Sequence, residues 1–241
     1  MKSILLFTLI TCISFPAFAQ EEDQDDIDYS LPVPDWKAGL KKGKVDGWLY
    51  STADAPEQIT RMASSAHEKY PARNAMDNNT TSAWVPATNG GIGEVVVVDY
   101  SPGENKKQMV WIWSGYGKTK ALFQANNRPR KIRIYLLGTY CHDCTPSVCM
   151  TGNFVVLAKA EKELKDLNGF QEITLPKGPV IDNSADCSHP SDAESPYRYR
   201  VAIEILSIYK GSKYNDTCIT EIMADAAYQK WLAVAKKGRG L

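Results

Sequence analysis

Asp77, Asn78, Asn79, Thr80, Thr81 and Ser82 set side-chain oxygens at six consecutive positions. That density suits either a hard cation or a set of turns in which side chains cap backbone amides. Trp84 follows between Ala83 and Val85, and so large a ring reads as a core plug beneath the loop. A second group is Cys141-His142-Asp143-Cys144 with Cys149, Cys187 and His189. A zinc knuckle is one reading, but the spacing to Cys187 is irregular. In an oxidising compartment two disulfides among Cys141, Cys144, Cys149 and Cys187 are preferred, with three connectivities open. Cys218 sits in an apolar strand pattern and is expected as a free, buried thiol. The third group is Gly117-Lys118-Thr119 after a strand. A phosphate loop would need a glycine where Ile112 stands inside that strand, so the triplet reads as an ordinary turn.

Catalytic arrangements are scarce. His67, His142 and His189 lie in segments that read as loops, outside any metalloprotease or nucleophile-elbow motif, and no fingerprint of an organic cofactor fits. Glu161 and Glu163 read as a solvated pair on a charged turn. The chain has 28 basic and 28 acidic residues, which gives no electrostatic reason to expect nucleic acid as a partner. The basic run from Arg128 to Arg133 reads as the solvated face of a strand.

The elements that must position these residues form one well-cored domain with tails, since 241 residues with 44% hydrophobic content leave little room for a second domain. Residues 1–19 have the apolar run and the Ala17-Phe18-Ala19 site of a cleavable secretory signal, so the mature chain would begin at Gln20, secreted or periplasmic. Residues 20–35 are an acidic, proline-containing leader that reads as disordered, and residues 36–63 a lead-in whose pattern assigns no fold. No later apolar run is long enough for a membrane span. Strands are expected over 94–100, 109–113, 130–137, 154–158, 171–175, 197–209 and 217–224. In the third of these, Ile132, Ile134 and Leu136 face a core while Lys131, Arg133 and Tyr135 face solvent. Both cysteine-bearing stretches read as loops at strand ends, and 159–168 as the charged turn. Residues 225–241 form a short helix, with Tyr228, Trp231, Leu232 and Ala235 on one stripe, and a basic tail.

The order Ala75-x-Asp77-Asn78-x-x-x-Ser82-x-Trp84, then Gly91-x-Gly93-Glu94 and a valine-rich strand, resembles the opening of a discoidin-type (galactose-binding-like) jelly-roll β-sandwich. Asn78 stands where glycine is usual and Ser82 where threonine is usual; Asn tolerates the left-handed backbone and Ser keeps the hydroxyl. Gly115-Tyr116-x-Lys118, Asn126-Asn127-Arg128-Pro129-x-Lys131 and the stretch from Lys210 to Ile222 narrow the resemblance to the NADase-type glycan-binding domain, with Thr220 in place of serine. It spans about Ser64 to Met223, within a sandwich bounded at 64–224.

The resemblance implies an exported carbohydrate-binding module and no chemistry, because that family's catalytic domain is separate. A structural or protein-interaction module of the cell envelope is the alternative, and an enzyme would require an acid/base pair converging in a cleft. A glycan or another cell-surface ligand is the implied partner. Many such sugar binders build a calcium site from the Asp77 loop. Asp77 and Ser82 would then supply side chains, Ala75 and Asn79 backbone oxygens, and Glu221 a carboxylate; the competing reading is a metal-free loop in which Asp77 caps amides. In a jelly roll the ligand end is made by loops. Tyr116 and Tyr214 offer aromatic faces to a pyranose, and Asn127, Arg128 and Asp216 offer groups for its hydroxyls. Otherwise Asn127 and Arg128 brace a loop and Asp216 sets a turn.

Overall fold

The computed structural model describes residues 33–50, 62–100, 108–144, 149–178 and 198–238. The expected secretory signal and most of the acidic leader lie outside them. The lead-in that sequence patterning leaves unassigned begins with helix α1 (Trp36–Lys42). Asp35 starts it by accepting a hydrogen bond from the Ala38 amide at 3.0 Å, and Gly43 stops it at a φ of 87°, the left-handed turn that glycine takes without strain. Strand β1 (Lys44–Tyr50) follows directly.

The remaining strands are β2 (Val95–Tyr100), β3 (Met109–Ser114), β4 (Arg128–Cys144), β5 (Cys149–Glu163), β6 (Gln171–Thr174), β7 (Arg198–Tyr209) and β8 (Ile219–Ala224). They form two antiparallel sheets, ordered β1-β5-β4-β7-β2 and β6-β3-β8. The alternation in β4 is satisfied by its neighbour, since Ile132, Ile134 and Leu136 lie opposite Ile205, Ile203 and Val201 of β7. These side chains are buried with Val110, Ile112 and Ile222 of the smaller sheet in one hydrophobic cluster. Each such fully buried side chain stabilises the fold by roughly 1.5–3 kcal/mol. The architecture is the expected all-β sandwich.

Three expectations are corrected. Tyr135, expected in solvent, is 2% exposed. Its face of the sheet is not open, because α1 brings Trp36 against Phe154 of β5, with ring centroids 4.9 Å apart, and Leu40 into the same cluster. The stretch around Cys141, Cys144 and Cys149, expected as a loop, continues β4 and β5 as a ladder to Cys144 opposite Cys149. Here β1 supplies the missing backbone partners, pairing Tyr50 with Met150 and Leu49 with Thr151 on the far side of β5. The charged turn expected from Lys159 begins only after Glu163, because Glu161 and Glu163 find cations across the ladder, at Lys131 and Arg133 and at Arg130.

Short helices complete the chain. Thr119 caps helix α2 (Lys120–Ala125) by accepting from the Leu122 amide, so the Gly-Lys-Thr triplet is a helix start with no phosphate cradle. Helix α3 (Asp225–Gly238) lays Tyr228 on Trp111 of β3, centroids 3.9 Å apart, and Trp231 against Phe170. Among the described residues no helix is long and apolar enough to cross a membrane.

Candidate functional site

A 3-10 turn (Ala72–Ala75) carries the buried Ala75 into the oxygen-rich loop. Asn78 then takes a φ of 59°, the left-handed conformation that its substitution for glycine requires. Around it the side chains fold inward on the backbone. Asp77 Oδ1 accepts from the Asn79 amide at 2.9 Å, and Asp77 Oδ2 lies 2.8 Å from Ser82 Oγ, which is also 2.9 Å from the Asn79 carbonyl. Asn79 Oδ1 in turn accepts from the Thr81 amide and hydroxyl.

Glu221 reaches this loop from β8. Its Oε2 accepts from the same Asn79 amide at 3.1 Å, so one N–H is shared by two carboxylates. The side chain is fully buried. Burial first, and the negative charge of Asp77 second, push its carboxyl up to about 8. Neither carboxylate has a cationic partner among the described residues. The structure therefore brings the distant Glu221 to Asp77, Asn79 and Ser82 of the loop, as two acids and two neutral oxygens. Among the described residues no group of three or more His, Cys, Asp and Glu could hold a metal ion. Any cation here would rely on neutral oxygens for the rest of its shell. Such an all-oxygen set, with one carboxylate already held out of water, fits calcium and does not fit a thiolate- or imidazole-seeking ion.

The second cluster lies where the loops after β3 and β7 meet. The amides of Gly115 and Asn127, at the two ends of the connection after β3, donate to the carbonyls of Cys218 and Asp216, so that connection hangs from the segment entering β8, into which the loop after β7 runs. Thr220 Oγ1 fixes the Tyr116 loop from below, accepting from the Gly117 amide and donating to the Gly115 carbonyl, each at 2.7 Å. Tyr116 is left half-buried, edge-on to Tyr70 at 6.2 Å, above Ala83, Val85 and Cys218. Burial and then Tyr70 hold its phenol above the usual range. Cys218 is the expected free, buried thiol, pushed up to about 12 mainly by burial. Tyr214 is 41% exposed, with Lys213 Nζ 5.0 Å from its ring centre, and Asp216 is exposed.

Asn127 and Arg128 stand apart from that surface. Asn127 is fully buried, donating to Asn215 Oδ1 at 3.0 Å and accepting from the Gly211 amide at 2.7 Å. Arg128 is 7% exposed. Its guanidinium spans both oxygens of Asp166, donates to the carbonyl of Asn126 and lies over the Phe123 ring at 5.0 Å. Burial and these protein partners fit the bracing alternative for both side chains and set them away from the exposed surface. Tyr70, Asp166 and the bracing role of Thr220 escaped sequence reasoning. The T/S-E-I segment signalled Thr220, whereas nothing local signals Asp166, 38 residues from its partner.

Cys187 lies outside the described residues, as do the side chains of Cys141, Cys144 and Cys149.

Residues 49–225 match the family model of the NAD glycohydrolase translocation F5/8 type C domain. No curated protein matches the chain. Among solved structures, the family 32 carbohydrate-binding module of C. perfringens NanJ, in complex with galactose, is similar at a TM-score of 0.36 and 14% identity, over 79% of this chain and 96% of that one. The match runs from the end of β1 to the start of α3 and includes both loop clusters. The chain accordingly belongs to the NAD glycohydrolase translocation F5/8 type C domain family, a discoidin-like, all-β binding module.

Proposed function

We propose that this protein is an exported, non-catalytic glycan-binding module. The observation that carries the reading is that the half-buried Tyr116 and the exposed Tyr214 sit on two loops held to each other by backbone hydrogen bonds, Gly115 and Asn127 of the first bonding to Cys218 and Asp216, and the Tyr214 amide of the second to the Ala125 carbonyl. Rings held on pre-organised loops stack on the apolar face of a pyranose with little ordering cost. Asp216 is the polar group available to hydroxyls there, while Asn127 and Arg128 act one layer down by holding the loops in place. Export follows from the signal-like residues 1–19.

Calcium is the proposed structural ion. Asp77, Ser82 and Glu221 would hold it with side chains, and Ala75 and Asn79 with backbone oxygens. Its charge would relieve the repulsion between Asp77 and Glu221 and stiffen the loop above Trp84. In an oxidising compartment the proposed disulfides among Cys141, Cys144, Cys149 and Cys187 would form.

A glycan array probed with the mature protein tests the function. Binding that is competed by free sugar and lost in Tyr116→Ala supports it. An envelope partner captured by crosslinking, with no sugar dependence, would replace it by a protein-interaction role.

A further inference from the structure

Away from the loop end, the outer face of the five-stranded sheet carries a depression of about 390 Å³ between the end of α1 and the middle of β4 and β5. It shares no residue with the loop cluster. Leu40 and the Tyr135 ring supply apolar wall, and Lys41, Arg133, Lys159 and Glu161 supply charge. That is three cations against one carboxylate.

The charges are not equally committed. Arg133 gives Nε and Nη2 to Glu161 and Nη1 to Glu204 at 3.1 Å. Glu161 is further held by Lys131 at 2.5 Å. These pairs fix the Arg133 fork and the Glu161 carboxylate in place before any ligand arrives. Lys41 and Lys159, by contrast, are exposed and have no carboxylate partner among the described residues. Two uncommitted ammonium groups therefore face one hollow whose other polar groups are pre-set.

Such a hollow calls for a negative group. A bare inorganic anion would meet the Glu161 carboxylate and gain nothing from Leu40 and Tyr135. A hydroxylated organic anion uses every group: its charge between Lys41 and Lys159, its hydroxyls on Glu161 and on the remaining Arg133 N–H groups, its C–H face on the apolar wall. We infer that this depression is a second ligand site, selective for a sugar unit bearing a carboxylate. It goes beyond the proposed loop-end site and is separable from it.

Titration of the isotope-labelled full chain with glucuronate, glucose and sulfate, followed by backbone amide NMR, tests the inference. Glucuronate should shift amides of Leu40–Lys41, Arg133 and Lys159–Glu161, and bind at least about tenfold more tightly than glucose. Sulfate should compete weakly. Lys41→Ala and Lys159→Ala, both at exposed positions outside the ion network, should each weaken glucuronate several-fold without changing the melting temperature, and Tyr116→Ala should leave it unchanged. The inference is overturned if glucose matches glucuronate, if sulfate binds as tightly, if the shifts map to the loop end, or if both lysine variants bind like wild type.

Discussion

Arg128 and Asp166 form a two-point ion pair, with Nε 2.9 Å from Oδ1 and Nη2 2.6 Å from Oδ2. It ties the first residue of β4 to the connection between β5 and β6. The arginine is nearly buried while the aspartate is 40% exposed, so the arginine is the partner that depends on the pair. Arg128→Lys keeps the charge but loses the fork and its seat over Phe123. It should lower stability by about 1–2 kcal/mol, after discounting the exposed partner, as read by urea unfolding. Glycan binding should fall no further than the folded fraction does. A variant of unchanged stability that loses binding would return Arg128 to the ligand surface.

Glu221 sets a pH dependence. Its folded carboxyl is raised to about 8 from an ordinary 4.5, so the folded state holds a proton that the unfolded state releases. Stability from this group is complete below about pH 4.5 and is lost as pH rises toward 8, at up to about 1.4 kcal/mol per pH unit. Without metal, the melting temperature of wild type should fall more steeply across that window than that of Glu221→Gln. Parallel curves would refute the buried acid.

Calcium should reverse this trend. Binding to ionised Asp77 and Glu221 should raise the melting temperature more at pH 8 than at pH 5, and more in wild type than in Asp77→Ala. An equal rise in both proteins would rule out the loop as the calcium site.

Glu94 works in the opposite direction. Burial raises its carboxyl, but hydrogen bonds from Lys37, Ser64 and Ser65 together outweigh burial and leave it lowered. Its stabilisation is present above about pH 4.5 and lost as pH falls through the lower, folded value. Glu94→Gln should cost about 1–2 kcal/mol at neutral pH and loosen α1, read as faster hydrogen exchange at Lys37–Lys42. Unchanged exchange would detach α1 from this contact.

Cys144 and Cys149 are directly opposed in the antiparallel ladder. Opposed residues there have Cα atoms about 4.5–5.5 Å apart, within the range a disulfide spans. Of the three connectivities left open by sequence, the one joining these two should appear in non-reduced peptide maps of exported protein. A map joining Cys144 to Cys187 would exclude it.

Much of the placement of strands along the chain was legible because alternation is local: Ile132, Ile134 and Leu136 announce a buried face without knowledge of their partners. The ordered motifs likewise put Asp77 and Glu221 in one site, although they are 144 positions apart by number. Burial set by distant covering elements was not legible. Tyr135 alternates with core residues and is buried only because α1 lies on the other face of its sheet. Arg128 looks like a surface base until Asp166 is brought to it. The reach of β4 and β5 past Gly138 depends on β1, which pairs from about a hundred residues upstream.

That same β1 has a protective consequence. It occupies the hydrogen-bonding flank of β5 along Met150–Val155, which would otherwise stand as a row of unpaired amides and carbonyls able to recruit a second chain. Its own outer flank is poorly suited to recruitment, since the pairing slips between Val45 and Trp48 and the exposed Lys44 and Asp46 pair with each other at 3.2 Å. The family match begins only at residue 49, so most of this guard lies outside the matched residues. A module excised from Ser64 onward would retain both loop clusters and still be prone to edge-to-edge self-association.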